Sequence, residues 1–126
     1  MAIRTELHLR LPNSPGVLAD VSRLLARERV SILALMLERS GDLRFVPDNH
    51  ARAAAVLRAD HHRVTEHQVL TSDVPDTPGA LAPILGLLRD SGVNVEYAYS
   101  GVRSSGSVLI VLGVDDAMRA ATAAGL

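Results

Sequence analysis

The chain has 126 residues, of which 48% are apolar and 21% charged, a composition typical of a folded globular protein rather than a disordered segment. Thirteen arginines, with no lysine, stand against 14 acidic residues, and the formal net charge of −1 excludes the strongly positive field of a nucleic-acid-binding surface. There is no cysteine for a disulfide or a thiolate site, and no apolar run near the roughly 20 residues that cross a bilayer, so we expect a cytoplasmic protein without membrane association.

The first predicted elements are a strand and a helix. Apolar and polar residues alternate from Glu6 to Leu11, which predicts a half-buried strand. Ser14 is expected to be an N-cap and Pro15 the first helical residue, where its missing N–H costs nothing. Apolar residues at helical spacing then predict a helix that ends at about Arg29.

A hairpin and a second helix come next. The pattern predicts a strand over 30–38, a turn at 40–42 and a strand over 43–46. An alanine-rich helix is then expected to open at Asp48, an acid suited to the positive end of a helix dipole.

The strand over 30–38 is apolar on both faces. One face carries Ile32, Ala34 and Met36. The other face carries Leu33, Leu35 and Leu37. Because helices cover only one face of such a sheet, the second apolar row predicts packing against another sheet, most economically in a homodimer. The alternative is that the sibling unit of the same chain covers it.

The same order of elements then returns. Residues Leu11–Ala19 reappear as Val74–Ala82, an offset of 63 residues, and Phe45–Ala54 reappear as Leu112–Ala121, an offset of 67. The second copy therefore carries four extra residues, which fall within Gly101–Gly106, where Ser-Ser-Gly predicts a hairpin tip.

The second copy departs from the first in two places. Pro83 falls in the second predicted helical turn, where it removes the hydrogen bond to the Gly79 carbonyl and is expected to bend the helix start. The sequence reaches Leu126 directly after the second helix, so we expect the last strand of that unit to be absent. The closing strand of the first unit and the opening strand of the second must both lie within 63–74, as one long strand or a kinked shared strand.

Strand, helix, strand, strand, helix, strand is the ferredoxin-like order of elements. We therefore predict an α+β fold of two ferredoxin-like βαββαβ units in tandem, residues 1–67 and residues 68–126. Antiparallel sheets would carry helices on one face, and the second unit would lack its last strand.

The strand-to-helix turns resemble a known family. Asn-Ser-Pro-Gly-Val-Leu at 13–18, Asp-Thr-Pro-Gly-Ala-Leu at 76–81 and Gly-Val-Asn-Val-Glu-Tyr-Ala-Tyr at 92–99 resemble the ACT domain family of amino-acid-binding regulatory modules. The likeness is greatest to small stand-alone proteins with two tandem ACT units, and it covers nearly the whole chain, twice. It implies units that lie side by side, effector amino acids bound at the interfaces between units, and a role in regulating amino-acid metabolism. The residues themselves offer no catalytic constellation, and we expect no catalysis, cofactor or metal.

The physical chemistry of the turn points to the same kind of ligand. A helix N-terminus offers unpaired N–H groups to a carboxylate, and Gly16 and Gly79 leave room for a ligand to approach. The resemblance places acceptors for an α-ammonium nearby. The candidate ligand-binding residues are Asn13, Ser14, Gly16, Val17, Leu18, Ser31, Asp76, Thr77, Gly79, Ala80, Leu81 and Asn94. Alternatively, Pro-Gly is only a good helix start, and Asn94 only a turn residue ahead of a strand.

Other interpretations are weaker. Residues 60–62, Asp-His-His, lack a zinc-type spacing, and 115–116, Asp-Asp, open a helix and are expected to cap it rather than form a catalytic pair. Tyr97 and Tyr99 are expected on the core-facing side of their strand. A regulatory or interaction subunit that docks on an amino-acid biosynthetic enzyme stays open as an alternative, and a ferredoxin-like enzyme is less favoured.

Overall fold

The structure is a computed structural model that describes all 126 residues and contains six strands and four helices. In chain order these are β1 (Ala2–Arg10), α1 (Val17–Arg27), β2 (Ile32–Leu37), β3 (Asp42–Pro47), α2 (His50–Ala59), β4 (Thr65–Pro75), α3 (Ala82–Asp90), β5 (Val95–Ser104), β6 (Ser107–Val114) and α4 (Ala117–Ala123). The α+β class and the predicted order of elements are confirmed. No helix is both long enough and apolar enough to cross a membrane.

The chain divides into two compact units. The first unit is Thr5–His67, and the second unit combines Met1–Arg4 with Gln68–Leu126. Each unit has a hydrophobic core of its own.

In the first unit, β3 is the central strand and runs antiparallel to both β1 and β2. Leu7 of β1 and Leu35 of β2 both lie opposite the fully buried Phe45 of β3. Val21 and Leu25, one helical turn apart on α1, are buried against this sheet. The buried core is formed by Leu7, Leu9, Leu11, Val21, Leu25, Val30, Leu43, Phe45, Ala53, Ala54, Leu57 and Val64.

The second unit has the corresponding arrangement, with β6 antiparallel to both β4 and β5. Leu70 of β4 and Ala98 of β5 lie opposite Leu112 of β6. Its buried core is formed by Leu70, Val74, Ile84, Leu88, Val93, Ile110, Leu112 and Ala120.

The N-terminal end of β1 belongs to the second unit. Thr71 Oγ1 donates a hydrogen bond to the Ala2 carbonyl oxygen at 3.3 Å, and the side chain of Ile3 packs against the second core. The second unit therefore has an additional strand segment, Ala2–Arg4, although no strand follows α4. The expected long shared strand is confirmed as β4, which passes from the first unit to the second between His67 and Gln68.

A bulge in β5 overturns the expected orientation of the two tyrosines. Val95 lies opposite Val114, but Tyr97 lies opposite Gly113, so the register shifts by one residue between them. Because the side chains of a strand alternate between faces, this shift places Tyr97 on the face away from the Val95 side. A Cβ at Gly113 would lie 2.1 Å from the Tyr97 ring, so the missing side chain makes room for the aromatic ring.

The apolar row of β2 is only partly buried. Ala34 is 3% exposed, whereas Leu35 and Leu37 are 39% and 40% exposed. These two leucines are the members of the predicted row that remain at the surface of the first unit.

Candidate functional site

The strand-to-helix loop of the second unit borders a cavity. The loop, residues 76–81, joins β4 to α3, and a cavity of about 240 Å³ lies beside it. The cavity is lined by Val74, Pro75, Asp76, Thr77, Gly79, Ala80, Leu81, Ala82, Val108 and Ile110. The structure thus gathers all the second-copy loop residues that the sequence singles out around one space, with an apolar wall supplied by β4 and β6.

Pro83 decides where α3 begins. In the first unit the Asp20 N–H donates to the Gly16 carbonyl oxygen at 2.9 Å, and α1 begins directly after Gly16. Pro83 matches Asp20 in the repeat but has no N–H, so α3 begins only at Ala82, and the Gly79 carbonyl accepts from the Ala82 N–H at 3.2 Å instead. The predicted loss of the bond to Gly79 is confirmed. The prediction that Pro83 lies in the second helical turn is wrong. Because α3 begins only at Ala82, Pro83 lies in its first turn.

The two helices that follow the Pro-Gly motif have no side-chain cap. The prediction that Ser14 caps α1 is wrong: the N-cap is Gly16, while Ser14 and Pro15 lie in the turn before it. The N-cap position of α3 is Leu81, again without a side-chain hydrogen bond. In contrast, Asn49 and Asp116 accept backbone N–H groups at the starts of α2 and α4, at 3.1 and 3.0 Å. Only the motif helices therefore leave their positive dipole end without a capping side chain.

Glycine is required in both motif loops by the backbone conformation. Gly16 has φ +88° and Gly79 has φ +79°, in the left-handed region that glycine adopts readily. A Cβ added at either residue would meet no atom within 4 Å. The outer side of each loop is therefore open to an approaching molecule.

The hairpin between β5 and β6 holds Asp76. The Asp76 N–H donates to the Gly106 carbonyl oxygen at 2.9 Å, and the Asp76 carboxylate forms an ion pair with Arg103. Arg103 lies among the extra residues of the second copy, and sequence reasoning located this insertion without assigning Arg103 a role. The signal that could have found it is a lone cation in an insertion predicted to form a hairpin tip.

A second, more polar cavity is also lined by Asp76. It measures about 220 Å³ and is lined by Asp76, Arg103, Ser104, Ser105, Gly106 and Ser107. Asp76 therefore borders both the apolar cavity beside the loop and the polar cavity at the hairpin tip.

The corresponding loop of the first unit is held differently. There the Leu11 N–H donates to the Gly41 carbonyl oxygen at 2.8 Å, so the short hairpin reaches only the end of β1. Asn13, like Ser14 and Gly16, is exposed, whereas Val17 and Leu18 pack against the first core.

Ser31 and Asn94 occupy matching positions in the two units. The Ser31 N–H donates to Asp48 Oδ1 and the Asp48 N–H returns to the Ser31 carbonyl oxygen, both at 3.0 Å. Asn94 and Asp115 repeat this pair of bonds at 3.0 and 3.1 Å. The expectation that α2 opens at Asp48 is wrong, since the helix begins at His50 and the aspartate fastens the start of β2 instead.

Asn94 does not reach the loop cavity of its own unit. Pro75 pairs with Ser107 at the first residue of β6, whereas Asn94 bonds to Asp115, one residue beyond its end. At about 3.3 Å per residue, these two ends of β6 are roughly 25 Å apart. One amino acid therefore cannot touch both the loop at 76–81 and Asn94 within the second unit.

One carboxylate in the first unit has a shifted pKa. The Ser40 hydroxyl donates to Asp42 Oδ2 at 2.6 Å, and His8 Nε2 lies 2.9 Å from Asp42 Oδ1. These hydrogen bonds lower the pKa of Asp42 below its usual value. The cluster ties β1 to the turn between β2 and β3, which is a structural role.

The polar residues at 60–62 and 115–116 include groups that bond to the backbone. His61 has φ +69° and donates its N–H to the Arg58 carbonyl oxygen at 3.0 Å, which ends α2. Asp115 fastens Asn94 and Asp116 caps α4, as described above. No three histidine, aspartate or glutamate side chains come together as metal ligands would.

The chain is similar to several proteins of known structure. No protein-family model matches the chain, and no curated protein matches it significantly. Protein BT0572 from Bacteroides thetaiotaomicron is 27% identical, with 98% of this chain and 87% of that chain covered and a TM-score of 0.85. The ligand-free regulatory subunit of aspartate kinase from Thermus thermophilus is 16% identical, with 98% and 92% covered and a TM-score of 0.66. E. coli aspartokinase III in complex with lysine and aspartate is 20% identical, with 97% and 30% covered and a TM-score of 0.61.

These structures share the fold of the chain over almost its full length. One of them is a separate regulatory subunit whose length nearly equals that of this chain. The resemblance to small ACT-domain regulatory proteins, expected from the Pro-Gly motifs, is confirmed at the level of fold.

Proposed function

We propose that the chain is a non-catalytic regulatory protein that binds a free L-amino acid at its strand-to-helix loops. The observation that carries the proposal is the cavity beside residues 76–81, where a helix without a side-chain cap begins. At about 240 Å³ the cavity is smaller than the roughly 300–1,000 Å³ of pockets for drug-sized ligands, which favours a small metabolite. The loop of the first unit, Asn13–Leu18, is the second candidate position.

Each part of an amino acid has a complementary group at this site. The α-carboxylate fits the start of α3, where no side chain caps the helix and the helix dipole favours negative charge. The α-ammonium fits the carboxylate of Asp76. The side chain would then extend toward Val74, Val108 and Ile110, so the apolar wall favours an aliphatic amino acid.

The structural relatives support a regulatory role. The E. coli enzyme, of which a part has this fold, is in complex with lysine and aspartate, and the Thermus thermophilus chain is a regulatory subunit. The ACT resemblance implies ligands bound between units. Since Asn94 lies roughly 25 Å from the loop of its own unit, we propose that Asn94 or Ser31 contacts the ligand from a second copy of the chain.

A thermal-shift screen against the twenty amino acids tests the proposal. A ligand that binds only the folded state at 100 times its Kd stabilises it by about 2.7 kcal/mol, which corresponds to several degrees in Tm. Titration calorimetry with the best amino acid would give its Kd. If none of the twenty shifts the Tm or releases heat, the amino-acid proposal is wrong.

A matched pair of variants tests the position of the site. Leu81 and Leu85 lie one turn apart and are 39% and 38% exposed, but only Leu81 lines the cavity. Leu81→Glu places a negative charge where the ligand carboxylate would bind and should raise the Kd at least about tenfold, or about 1.4 kcal/mol. Leu85→Glu should leave the Kd within about twofold. Equal effects of the two substitutions would place the ligand elsewhere.

The alternative is a subunit that regulates an amino-acid biosynthetic enzyme by docking on it. Leu35 and Leu37 are exposed apolar side chains that suit contact with either a second copy of this chain or such an enzyme. We favour the homodimer, and light scattering distinguishes the two: a dimer mass that Leu35→Glu reduces to a monomer supports self-association. A monomeric wild type would favour the enzyme partner.

A further inference from the structure

The β5–β6 hairpin of the second unit is longer than the β2–β3 hairpin of the first, and it therefore contacts a different residue of the motif segment. In the first unit the Gly41 carbonyl bonds to Leu11, whereas in the second unit the Gly106 carbonyl bonds to Asp76, which matches Asn13. The extra residues thus move the contact two positions further into the motif loop. They also bring a cation, Arg103, against a carboxylate that lines the proposed ligand cavity.

The ion pair is placed where it contributes little to folding. The side chains of Arg103 and Asp76 are 70% and 51% exposed, and exposed pairs are weakened by solvent and salt. The pair joins Arg103 Nη2 to Asp76 Oδ2. The second carboxylate oxygen, Oδ1, keeps its capacity to accept hydrogen bonds from another donor.

We infer that Arg103 is a positioning residue, which holds the Asp76 carboxylate in the orientation that accepts the ammonium of an amino acid in the second-unit cavity. The inference rests on the proposed function and adds to the site a residue from outside the motif loop. With the backbone fixed by Gly106 and Oδ2 fixed by Arg103, Asp76 no longer rotates freely. A fixed acceptor loses less entropy when the ligand binds, so the affinity is higher than that of an unrestrained aspartate. Asn13 in the first unit has neither a charge nor this support.

The test uses the L-amino acid that raises the Tm most in the screen of twenty, together with its α-hydroxy acid analogue, which lacks the ammonium. Titration calorimetry on the full chain compares wild type with Arg103→Ala, Arg103→Lys, Asp76→Asn and the Asp76→Asn/Arg103→Ala double variant. Arg89→Ala is the control, because Arg89 also forms an exposed ion pair, with Asp90 at the end of α3. Circular dichroism verifies that each variant is folded.

Arg103→Ala is expected to weaken binding of the amino acid about three- to fivefold, the range an exposed ion pair can supply, and to leave binding of the hydroxy acid unchanged, with partial recovery in Arg103→Lys. If Arg103 acts through Asp76, its removal changes the Kd less than twofold once Asp76 is already Asn. Arg89→Ala should match wild type.

Three results would overturn the inference while leaving the proposed function intact. The first is an Arg103→Ala affinity equal to or higher than that of wild type. The second is the same loss in the Asp76→Asn background as in wild type, and the third is an equal loss for the hydroxy acid. If the wild type binds no amino acid at all, the proposed function fails, and the inference fails with it.

Discussion

The two strand-to-helix loops share a motif but form different structures. In the first, the helix begins directly after Gly16 and the following Val17 and Leu18 pack into the core. In the second, Pro83 removes one hydrogen bond, α3 begins two positions later in the repeat, and the loop borders a cavity. Pro83 and the longer hairpin therefore distinguish the second loop, which borders a candidate site, from the first.

Some contacts are the same in both units, whereas the motif loops differ. Both units fasten the start of their second strand with an aspartate, Asp48 or Asp115, and cap their last helix with the next residue. These contacts keep the same geometry because each depends on two backbone groups and one short side chain. The motif loops differ because they depend on neighbours of unequal length.

The largest expected effect concerns the two hairpin glycines. Gly41→Ala would place a Cβ 2.0 Å from the Leu11 carbonyl oxygen at φ +94°, so we expect a loss of about 3 kcal/mol or more in the free energy of unfolding. Gly106→Ala has open space at φ +80° and should cost only about 1–2 kcal/mol. Urea denaturation followed by circular dichroism measures both, and similar losses would mean that the two hairpins are equally constrained.

The next prediction concerns the origin of the cavity. Pro83→Ala restores an N–H that is able to bond to the Gly79 carbonyl, as Asp20 does to Gly16, so α3 should lengthen by up to one turn and close the cavity. We expect about a tenfold weaker amino-acid affinity, or about 1.4 kcal/mol. Stability should change by less than about 1 kcal/mol, because the new hydrogen bond is offset by the greater freedom of the unfolded chain.

Calorimetry for the affinity and far-ultraviolet circular dichroism for the helix content test Pro83→Ala together. The control is Ala82→Gly, a neighbouring change in the first turn that restores no hydrogen bond to Gly79. An unchanged affinity with increased helix content would show that the cavity does not depend on the late helix start.

The smallest effect should be equal in the two units. Asn49→Ala and Asp116→Ala each remove a side-chain cap from a short helix and should lower stability by about 1 kcal/mol. Urea denaturation would show whether the costs match. A cost at Asn49 several times that at Asp116 would reveal that the shared capping geometry supports the two units unequally.

Local signals in the sequence predicted much of the fold. The offset between copies located the matching elements, and the four extra residues correctly marked the hairpin whose turn includes Ser105 and Gly106. Pro83 was correctly expected to lose its bond to Gly79, because that loss follows from covalent structure alone. The bulge before Tyr97 was not predicted, since strict alternation was assumed, although Gly113 opposite an aromatic ring was a usable signal.

The candidate site was harder to predict than the fold. The loop residues cluster because they are neighbours in sequence, so their proximity needs little inference. The Asp76–Arg103 pair joins residues 27 positions apart and depends on how far a hairpin reaches, which composition and periodicity do not encode. The helix starts were misjudged because Ser14 and Asp48 are good caps in isolation, while the structure uses Gly16 and Asn49.

The split of β1 between the two units has a consequence for synthesis on the ribosome. Ala2–Arg4 is made before the first unit, yet Thr71, which bonds to the Ala2 carbonyl, is made 69 residues after Ala2. Ile3 must therefore stay exposed to solvent, or to other partners, while the whole first unit is translated. The first unit is free to fold early, whereas the second needs a segment that precedes the first unit in the chain, which makes its assembly the slower and more aggregation-prone step.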